Sequence, residues 1–412
     1  MRTAKLAIAG AMLLCGCAHE PSKMASDAPS HATSAASASR AATRISATAP
    51  ATLPVAENTV RRPSIDRAIA DGVAFLVKAQ QPDGSWGTGL ETRGTEIYSM
   101  VPGSHDAYRV GTSALCVMAL REAIAAGAGD GLDPAVLKEA HEKGVQYLVQ
   151  HGDARRDDGS IIYNTWAHTF ALQALCDEMK HDSDPQLASA ARDQMDRLNR
   201  YATHTGGWNY YDFNAQTQQV SLGATSFGTA AGLVALWEAK QAGVEIPPNL
   251  AERSVRRLEE CRLPNGVFMY GADYKYIPRI PANMVRGAIG RTQPANYALW
   301  LWGSKIVGEP QAVDGLELFF KEHVALDMGR KRPYPHEAWY QTSGYYYYYD
   351  HYYAGRLLEK LTAANRQKFA PQLAEQILPH QEADGSWWDY AMWDYHKPYG
   401  TAFAVMTLLR CK

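Results

Sequence analysis

The stretch QQPDGSWG at residues 80–87 recurs in similar form as HQEADGSWW at residues 380–388. Each copy contains a glutamine followed, after a short spacer, by Asp-Gly-Ser-Trp. Glycine can adopt the left-handed conformation that ends a helix, and aspartate favours the turn that follows it. A single turn does not need so long a signature, so the repetition predicts a structural unit that the chain uses more than once.

Shorter glycine-containing joints lie between the two copies: Asp158-Gly159-Ser160, Gly206-Gly207-Trp208 and Asn265-Gly266. The fifth joint, in residues 326–339, departs from this pattern. The spacing is irregular, as expected for a repeated helical hairpin whose loops vary in length.

The segments between the joints are of two alternating kinds. Segments of the first kind are amphipathic, with apolar residues on one helical face; they are 64–80, 133–150, 184–201, 249–261, 312–324 and 366–381. Segments of the second kind are apolar nearly all round, which indicates burial on most sides; they are 112–123, 165–176, 225–239, 295–305, 345–361 and 401–411. Ser64, Asp133 and Asp184 are expected to cap their helices, the two aspartates because proline follows them.

Six one-sided helices that alternate with six buried helices predict a solvated outer layer and a dry inner layer. Such hairpins close naturally into a ring, so we predict an all-α fold, an (α/α)6 toroid of six helical hairpins. A two-domain helical bundle is the alternative, because periodicity alone does not show that a ring closes.

The N-terminal region differs from the rest of the chain. Residues 1–16 have two basic residues and then an apolar run too short to span a membrane, which predicts a signal peptide. The end of this run, Leu14-Cys15-Gly16-Cys17, resembles the lipobox of bacterial lipoproteins, which implies acylation of Cys17; a plain secretory signal is the alternative. Residues 17–59 are rich in Ala, Ser, Thr and Pro and are predicted to be a disordered tether. The toroid would then occupy residues 60–412.

These features predict a cell-envelope protein that a lipid anchor holds to a membrane. The residue after the lipid site is Ala18 and not the aspartate that serves as a retention signal in bacterial lipoproteins. By the same resemblance, this predicts that the protein is anchored in the outer membrane, facing the periplasm, if the cell has an outer membrane. The formal net charge is −2 and no basic cluster is present, so nucleic acid is not expected as a partner. Four cysteines outside the signal lack metal-binding spacing and are predicted to be buried free thiols: Cys116, Cys176, Cys261 and Cys411.

The two Asp-Gly-Ser-Trp motifs resemble the Gln-Trp repeats of squalene–hopene cyclases and related prenyltransferase-like repeat proteins. GGWNYYD at 206–212 is similar to degenerate copies of the repeat, and SGYYYYYDHYYAG at 343–355, followed by the last motif, is similar to the final repeats of bacterial members. The resemblance covers about residues 60–410. It implies a toroid in which four residues tie helix ends together and have no catalytic role: Gln80, Trp86, Gln381 and Trp387.

The motifs that carry the chemistry of this family are missing. The chain contains neither the Asp-x-Asp-Asp of protonation-initiated cyclases nor the Asp-Asp-x-x-Asp of diphosphate-ionising ones, so cyclase activity by those routes is not expected. The zinc set of the prenyltransferases has its best local counterpart in His168, Cys176 and Asp177. His168 and Cys176 are eight residues apart and cannot chelate one ion from a single helix. We therefore expect no metal and no cofactor, with His168 facing the cavity and Cys176 packed.

Candidate functional residues are polar or aromatic groups in or near the buried helices. Asp350 and His351 lie in the tyrosine-rich stretch Tyr345–Tyr353. Helical spacing divides this stretch into two faces. One face has Tyr346, Tyr349 and Tyr353, and another has Tyr347, Asp350 and His351. An ionisable pair is costly to bury without partners, so these two, with His168 and Asp389, are the catalytic candidates. A satisfied hydrogen-bond network between tyrosines and Asp350 is the alternative. The ligand-binding candidates are Asp106, Tyr163, Arg291, Tyr347, Tyr348, Trp388 and His396.

Three functions remain open from the sequence. The first is an aromatic-lined cavity that binds an apolar or amphiphilic ligand. The second is a carbohydrate-active enzyme, a glycosidase or lyase, which requires two carboxylates such as Asp350 and Asp389 about 5–10 Å apart across an open cleft. The third is a scaffold without catalysis.

Overall fold

Helices account for nearly all the regular structure in the computed structural model, which describes residues 64–92, 102–154, 164–211, 223–277, 279–332 and 342–412. These residues belong to one compact unit, Val60–Lys412. In the described ranges β pairing is limited to isolated bridges, so the all-α prediction is confirmed. The predicted signal peptide, the tether and Cys17 lie outside these ranges.

The helices follow one another along the chain as α1 (Ile65–Ala79), α2 (Pro102–Ala125), α3 (Pro134–His151), α4 (Thr165–Met179), α5 (Pro185–Tyr201), α6 (Ser226–Gln241), α7 (Leu250–Glu259), α8 (Val285–Ala288), α9 (Thr292–Leu301), α10 (Glu309–Lys321), α11 (Val324–Gly329), α12 (Tyr347–Leu358), α13 (Ala363–Ile377) and α14 (His396–Arg410). Short 3-10 turns occur at Ala272–Tyr276, Pro281–Asn283, Ile289–Arg291, Ser343–Tyr346 and Leu378–His380. None of the described helices is long and apolar enough to cross a membrane.

Six of these helices form a closed inner ring. α2 packs on α4, α4 on α6, α6 on α9, α9 on α12, α12 on α14, and α14 packs back on α2. The outer layer consists of α1, α3, α5, α7, α10 and α13, each packed against inner helices. The ring therefore closes, which confirms the (α/α)6 toroid and excludes the two-domain bundle.

Burial explains why each segment occupies its layer. α1 buries one stripe, which includes Ile69, Val73 and Leu76. α6, by contrast, buries every residue from Ser226 to Leu236 except Gly228. A helix without a polar face is stable only between other helices, and that position is the inner ring. The four predicted free thiols are indeed buried and unpaired with one another.

Capping residues begin the outer helices where the sequence predicts. The Ser64 hydroxyl accepts from the backbone N–H of Arg67 at 3.2 Å. The Asp133 and Asp184 carboxylates accept from the N–H groups two residues later at 2.9 Å, and proline occupies the first helical position after each. These side chains satisfy donors that the first turn of a helix leaves without partners.

The repeated motif forms the corner that follows an outer helix. Asp83 Oδ1 accepts from the N–H and hydroxyl of Ser85 at 3.0 and 2.6 Å, and Asp384 holds Ser386 in the same way at 3.1 and 2.6 Å. Gly84 and Gly385 adopt φ angles of +86° and +87°, which only glycine adopts without strain. The turn is thus built from side-chain bonds within the motif.

The tryptophans of the motif bind the end of the preceding helix. Their indole N–H groups donate to the carbonyl ten residues earlier, from Trp86 to Leu76 at 2.7 Å and from Trp387 to Ile377 at 3.0 Å. Trp208, in the degenerate corner, donates to Leu198 at 2.7 Å. These carbonyls lie in the last turn of a helix, so each bond ties a corner to the helix that precedes it.

The glutamines of the motif bind the next outer helix. Gln80 Nε2 donates to the Ala140 carbonyl in α3 at 2.7 Å, and Gln381 Nε2 donates to the Ala68 carbonyl in α1 at 2.9 Å. The second bond joins the last corner to the first helix, across 313 positions of sequence. The motif is therefore a structural joint, in agreement with the role that the family resemblance implies.

Candidate functional site

The six inner helices run in the same direction, so their N-terminal ends share one rim of the ring. Near these ends, the Tyr349 hydroxyl of α12 donates to the Phe227 carbonyl of α6 at 2.8 Å. At the opposite ends, Arg356 of α12 pairs with Glu238 of α6 at 3.0 Å. We call the first the N-terminal rim.

A narrow recess of about 10 Å³, room for about one water molecule, lies between α4, α6 and α12 at the N-terminal rim. Nine residues line it: Thr165, Trp166, Thr169, Phe170, Asn209, Phe227, Gly228, Ala231 and Tyr349. None of them is charged. Four are aromatic, so most of the wall is flat and apolar.

Ring contacts and one hydrogen bond hold the aromatic wall in place. The Trp166 ring stacks over Tyr349 with centroids 6.2 Å apart and meets Phe170 edge-on at 5.6 Å. The hydroxyl of Tyr349 is occupied by its bond to the Phe227 carbonyl. The wall therefore has a defined shape before any ligand arrives, which lowers the entropy cost of binding.

Two polar residues of the recess, Thr165 and Asn209, are also engaged with the protein. Thr165 donates its hydroxyl to the Asn209 carbonyl at 2.6 Å. The Asn209 side chain donates to the Gly223 carbonyl at 3.0 Å and accepts from the Tyr210 N–H at 2.7 Å. Little hydrogen-bonding capacity is left for a strongly polar ligand, which favours an apolar one.

The tyrosine-rich stretch lies in the inner ring, as predicted, and Tyr346 through Tyr353 are all buried. Tyr349 contacts Tyr346 at 6.1 Å and Tyr353 at 4.9 Å, while Tyr347 stacks on His351 at 4.4 Å. The predicted division into two faces is confirmed. The Tyr349 face meets the recess, and the Tyr347 face turns toward the outer layer.

Asp350 is sealed inside the ring. Its Oδ1 accepts from the backbone N–H of Gln293, at the start of α9, at 3.1 Å. Burial raises its pKa well above the usual range, which favours the protonated carboxyl. Asp350 is fully buried and does not line the recess.

His351 takes part in a buried network that the sequence did not reveal. Its Nδ1 donates to the Tyr347 carbonyl at 2.5 Å, so its Nε2 must accept from the Nε2–H of His323, 3.0 Å away. His323 Nδ1 lies 2.9 Å from the Asp327 carboxylate. Burial would raise the pKa of Asp327, but hydrogen bonds from His323 and His380 outweigh it and lower that pKa. Burial and the neighbouring His323 lower the pKa of His351 well below its usual value.

Asp389 is the second sealed carboxylate. It accepts from the Tyr399 hydroxyl at 2.5 Å and from the N–H groups of Tyr390 and Tyr348 at 3.0 and 3.4 Å. Burial raises its pKa to about 7, against the effect of these bonds. Since Asp350 is sealed as well, this pair does not form the open two-carboxylate cleft that a glycosidase would need.

His168 does not face the cavity, contrary to the expectation. Its Nδ1 donates to Gln194 of α5 at 2.7 Å and its ring stacks on Tyr201 at 5.6 Å, so it packs between the inner and outer layers. Burial lowers its pKa to about 4, so it is neutral at pH 7. Cys176 is packed as predicted. Across the part of the chain that is described, no three His, Cys, Asp or Glu side chains are arranged to hold a metal ion.

Arg291 is not placed to hold a ligand anion. The guanidinium is fully buried, and four protein oxygens accept its N–H groups: Gly287 O at 2.7 Å, Ala282 O at 2.8 Å, Thr342 Oγ1 at 2.9 Å and Phe268 O at 3.4 Å. Burial lowers its pKa. Arg291 therefore ties together the loop that leads into α9.

The other ligand-binding candidates are placed as follows. Tyr347 donates its hydroxyl to the Gln376 carbonyl of α13 at 3.0 Å, and Tyr348 is fully buried beside Asp389, so neither lines the recess. Trp388 and His396 contact each other edge-on at 5.1 Å, also away from it. Tyr163 lies outside the described residues.

Asp106 is the candidate that does line a cavity, although a different one. A polar hollow of about 270 Å³ lies between the first turns of α2 and the last turn of α3. Its polar lining consists of Asp83, Asp106, Arg109, Tyr147, His151 and Asp153.

The sequence analysis did not single out Trp166, Phe227 and Tyr349 as ligand-binding residues. Each lies in the first turn of an inner helix, and that shared position is the signal that could have identified them. Aromatic residues at the starts of parallel inner helices must converge at one rim.

Comparison with known proteins identifies the fold. No family model matches the chain, and no curated protein matches it. Among solved structures, cellobiose 2-epimerase from Spirochaeta thermophila DSM 6192 aligns with a TM-score of 0.53 at 15% identity, over 86% of this chain and 98% of that one. An inactive variant of alpha-1,6-mannanase from Salegentibacter sp. HEL1_6, in complex with alpha-1,6-mannotetrose, aligns with a TM-score of 0.52 at 10% identity, over 85% and 99%.

Type II terpene cyclase MstE from Scytonema aligns with a TM-score of 0.48 at 17% identity, over 84% of this chain and 98% of that one. The matching structures thus include both a terpene cyclase and sugar-acting enzymes. The similarities with TM-scores above 0.5, at 10% and 15% identity, show the toroid fold and do not assign a reaction.

Proposed function

We propose that this protein binds an apolar or amphiphilic small molecule in the recess between α4, α6 and α12. The observation that carries the proposal is an uncharged wall of four aromatic rings at the N-terminal rim. Ligand sites are typically concave, mostly apolar and largely preformed, and the held positions of Trp166 and Tyr349 fit that description.

The proposal favours a lipid-like ligand over a saccharide for a chemical reason. Sugars are recognised through several hydrogen bonds from charged or amide side chains, and here Asn209 and Thr165 already bond protein groups. Burying sugar hydroxyls without partners would cost free energy. An alkyl or isoprenoid chain needs no such partners.

The N-terminal region completes the proposal. Acylation of Cys17 would anchor the protein to a membrane, with residues 17–59 as the tether and the toroid at the periplasmic surface of an outer membrane. An envelope location would supply apolar ligands directly. Mass spectrometry of tryptic or intact protein, with Cys17→Ser as the non-acylated control, tests the anchor independently of the recess.

The binding test uses the full chain carrying Cys17→Ser, purified without detergent, so that no covalent lipid interferes. The probe is cis-parinaric acid, whose fluorescence rises in an apolar site, and solvent extraction with mass spectrometry identifies any ligand that copurifies. Trp166→Ala removes one aromatic wall, and Trp300→Ala is the matched control because Trp300 is also partly exposed but lies at the C-terminal end of α9.

We expect Trp166→Ala to weaken probe binding about 10-fold, the loss typical of a contacting aromatic side chain, and Trp300→Ala to leave it unchanged. Ala231→Phe, which fills the recess, should abolish binding. Equal affinities for the parent and Ala231→Phe would show that the recess is not the binding site. Unaltered circular dichroism would show that each variant is folded.

A further inference from the structure

Exposed apolar side chains concentrate in the loop that leads into α9. In the described residues seven large hydrophobic side chains are classed as exposed: Leu90, Val136, Tyr276, Ile277, Met284, Ile306 and Val324. Tyr276, Ile277 and Met284 fall within nine residues and are 82%, 59% and 54% exposed. Val324 begins α11, which packs on α8 directly after this loop. Such a concentration marks an interaction surface.

Basic residues are interleaved with these apolar ones. Lys275, Arg279 and Arg286 are exposed in the same segment, and the ammonium of Lys275 lies 5.1 Å above the Tyr276 ring. Asp273, the one acidic residue from 272 to 286, is paired with Arg257. Aromatic and aliphatic side chains flanked by Lys and Arg suit the boundary between anionic headgroups and acyl chains.

The loop is held in this arrangement from beneath. Arg291 donates to the Ala282 carbonyl, and the Asn283 side chain accepts from the Tyr270 N–H at 2.7 Å. Both anchoring side chains are buried. The backbone of the loop is therefore held in place while its apolar side chains remain exposed. Arg291, which does not bind a ligand, thus has a structural role in positioning this loop.

Tyr270, just before the loop, contacts aromatic side chains near the recess. Tyr270 contacts Phe227 at 5.7 Å, and its hydroxyl lies 3.3 Å from that of Tyr210. Phe227 lines the recess. The exposed surface and the recess thus share one wall at the N-terminal rim.

We propose that the described residues of this loop, 272–277 and 279–286, form a docking surface for an anionic lipid bilayer, which places the N-terminal rim against the membrane. The bilayer would then also be the source of the ligand, and this part of the proposal rests on the proposed function. Membrane docking itself depends only on the exposed loop, so the two can fail separately.

The test measures cosedimentation of the full chain carrying Cys17→Ser with vesicles. The vesicles contain either phosphatidylcholine alone or phosphatidylcholine mixed with phosphatidylglycerol. The test variant combines Tyr276→Ser, Ile277→Ser and Met284→Ser, all at exposed positions where folding is little affected. Ile306→Ser is the matched control, since Ile306 is an exposed isoleucine in the turn after α9, at the opposite rim.

We expect the parent to bind the anionic vesicles, more weakly as salt is raised, and the triple variant to bind at least 10-fold less. Ile306→Ser should bind like the parent. Ala231→Phe should also bind vesicles like the parent, even if it loses cis-parinaric acid, which separates this proposal from the recess. Absence of vesicle binding by the parent, or equal binding by the triple variant, would overturn the proposal.

Discussion

Replacing Gly385 by alanine tests whether the last corner presses on the first helix and so closes the ring. Gly385 has a φ of +87°, and a Cβ added there would collide with the Asp71 carbonyl oxygen of α1 and lie 2.9 Å from its carbon. The opposing atoms are helix backbone, which cannot rotate away. Gly127 is the matched control because its φ is +62° and no atom lies within 4 Å of an added Cβ.

The expected cost has two parts. A left-handed conformation costs a non-glycine residue about 1–2 kcal/mol, which applies to both variants. Forcing an extra carbon into a packed contact adds about 1–3 kcal/mol, which applies to Gly385→Ala alone. Gly385→Ala should therefore lower the free energy of unfolding by about 2–5 kcal/mol, and Gly127→Ala by about 1–2 kcal/mol.

Urea unfolding of the full chain, followed by circular dichroism and tryptophan fluorescence, gives the comparison. Gly84→Ala provides a second reference, since its Cβ would meet the Lys143 carbonyl of α3 in the same way, between hairpins that are neighbours in sequence. The reasoning predicts equal losses for Gly385→Ala and Gly84→Ala. If Gly385→Ala cost no more than Gly127→Ala while Gly84→Ala cost more, the ring would not be closed between its first and last hairpins.

Two further predictions concern the corner tryptophan and a buried carboxyl. Trp387→Phe removes the indole N–H that donates to the Ile377 carbonyl at 3.0 Å. It should lower the free energy of unfolding, measured in urea, by about 1–3 kcal/mol. A loss below about 0.5 kcal/mol would show that this bond does not hold the corner to the helix. Burial raises the pKa of Asp389 to about 7 in the folded protein, from about 3.8 for an ordinary aspartate. Its contribution to stability is therefore lost as pH rises from about 4 to about 7, with a slope of at most about 1.4 kcal/mol per pH unit. Asp389→Asn should remove that slope from urea midpoints measured across this range, and an unchanged slope would place the titration elsewhere.

Local chemistry explains which parts of the fold the sequence predicted. The corners follow from Asp-Gly-Ser-Trp, because glycine, aspartate and serine each act within a few residues of chain. The layers follow from helical periodicity, because a segment such as 225–239 has no polar face to expose. The caps at Asp133 and Asp184 follow from a side chain reaching two residues ahead.

The candidate site was predicted less well, for a physical reason. Helical spacing placed Tyr347, Asp350 and His351 on one face, and it did so correctly. It did not show which neighbours that face meets. The face turns toward His323 and α13 rather than toward the recess, so these residues are sealed. His168 and Arg291 are likewise buried polar residues whose partners come from other segments.

The sequence by itself determined the kind and order of the twelve helices of the two layers and the chemistry of the turns between them, because those depend on interactions within one segment. It did not predict the short helices α8 and α11. Only the tertiary structure decided that Trp166, Phe227 and Tyr349 line one recess and that Gln381 reaches Ala68. Such contacts depend on how each helix is rotated about its own axis within the ring. That rotation is set by packing between whole helices, and no periodicity along one of them specifies it.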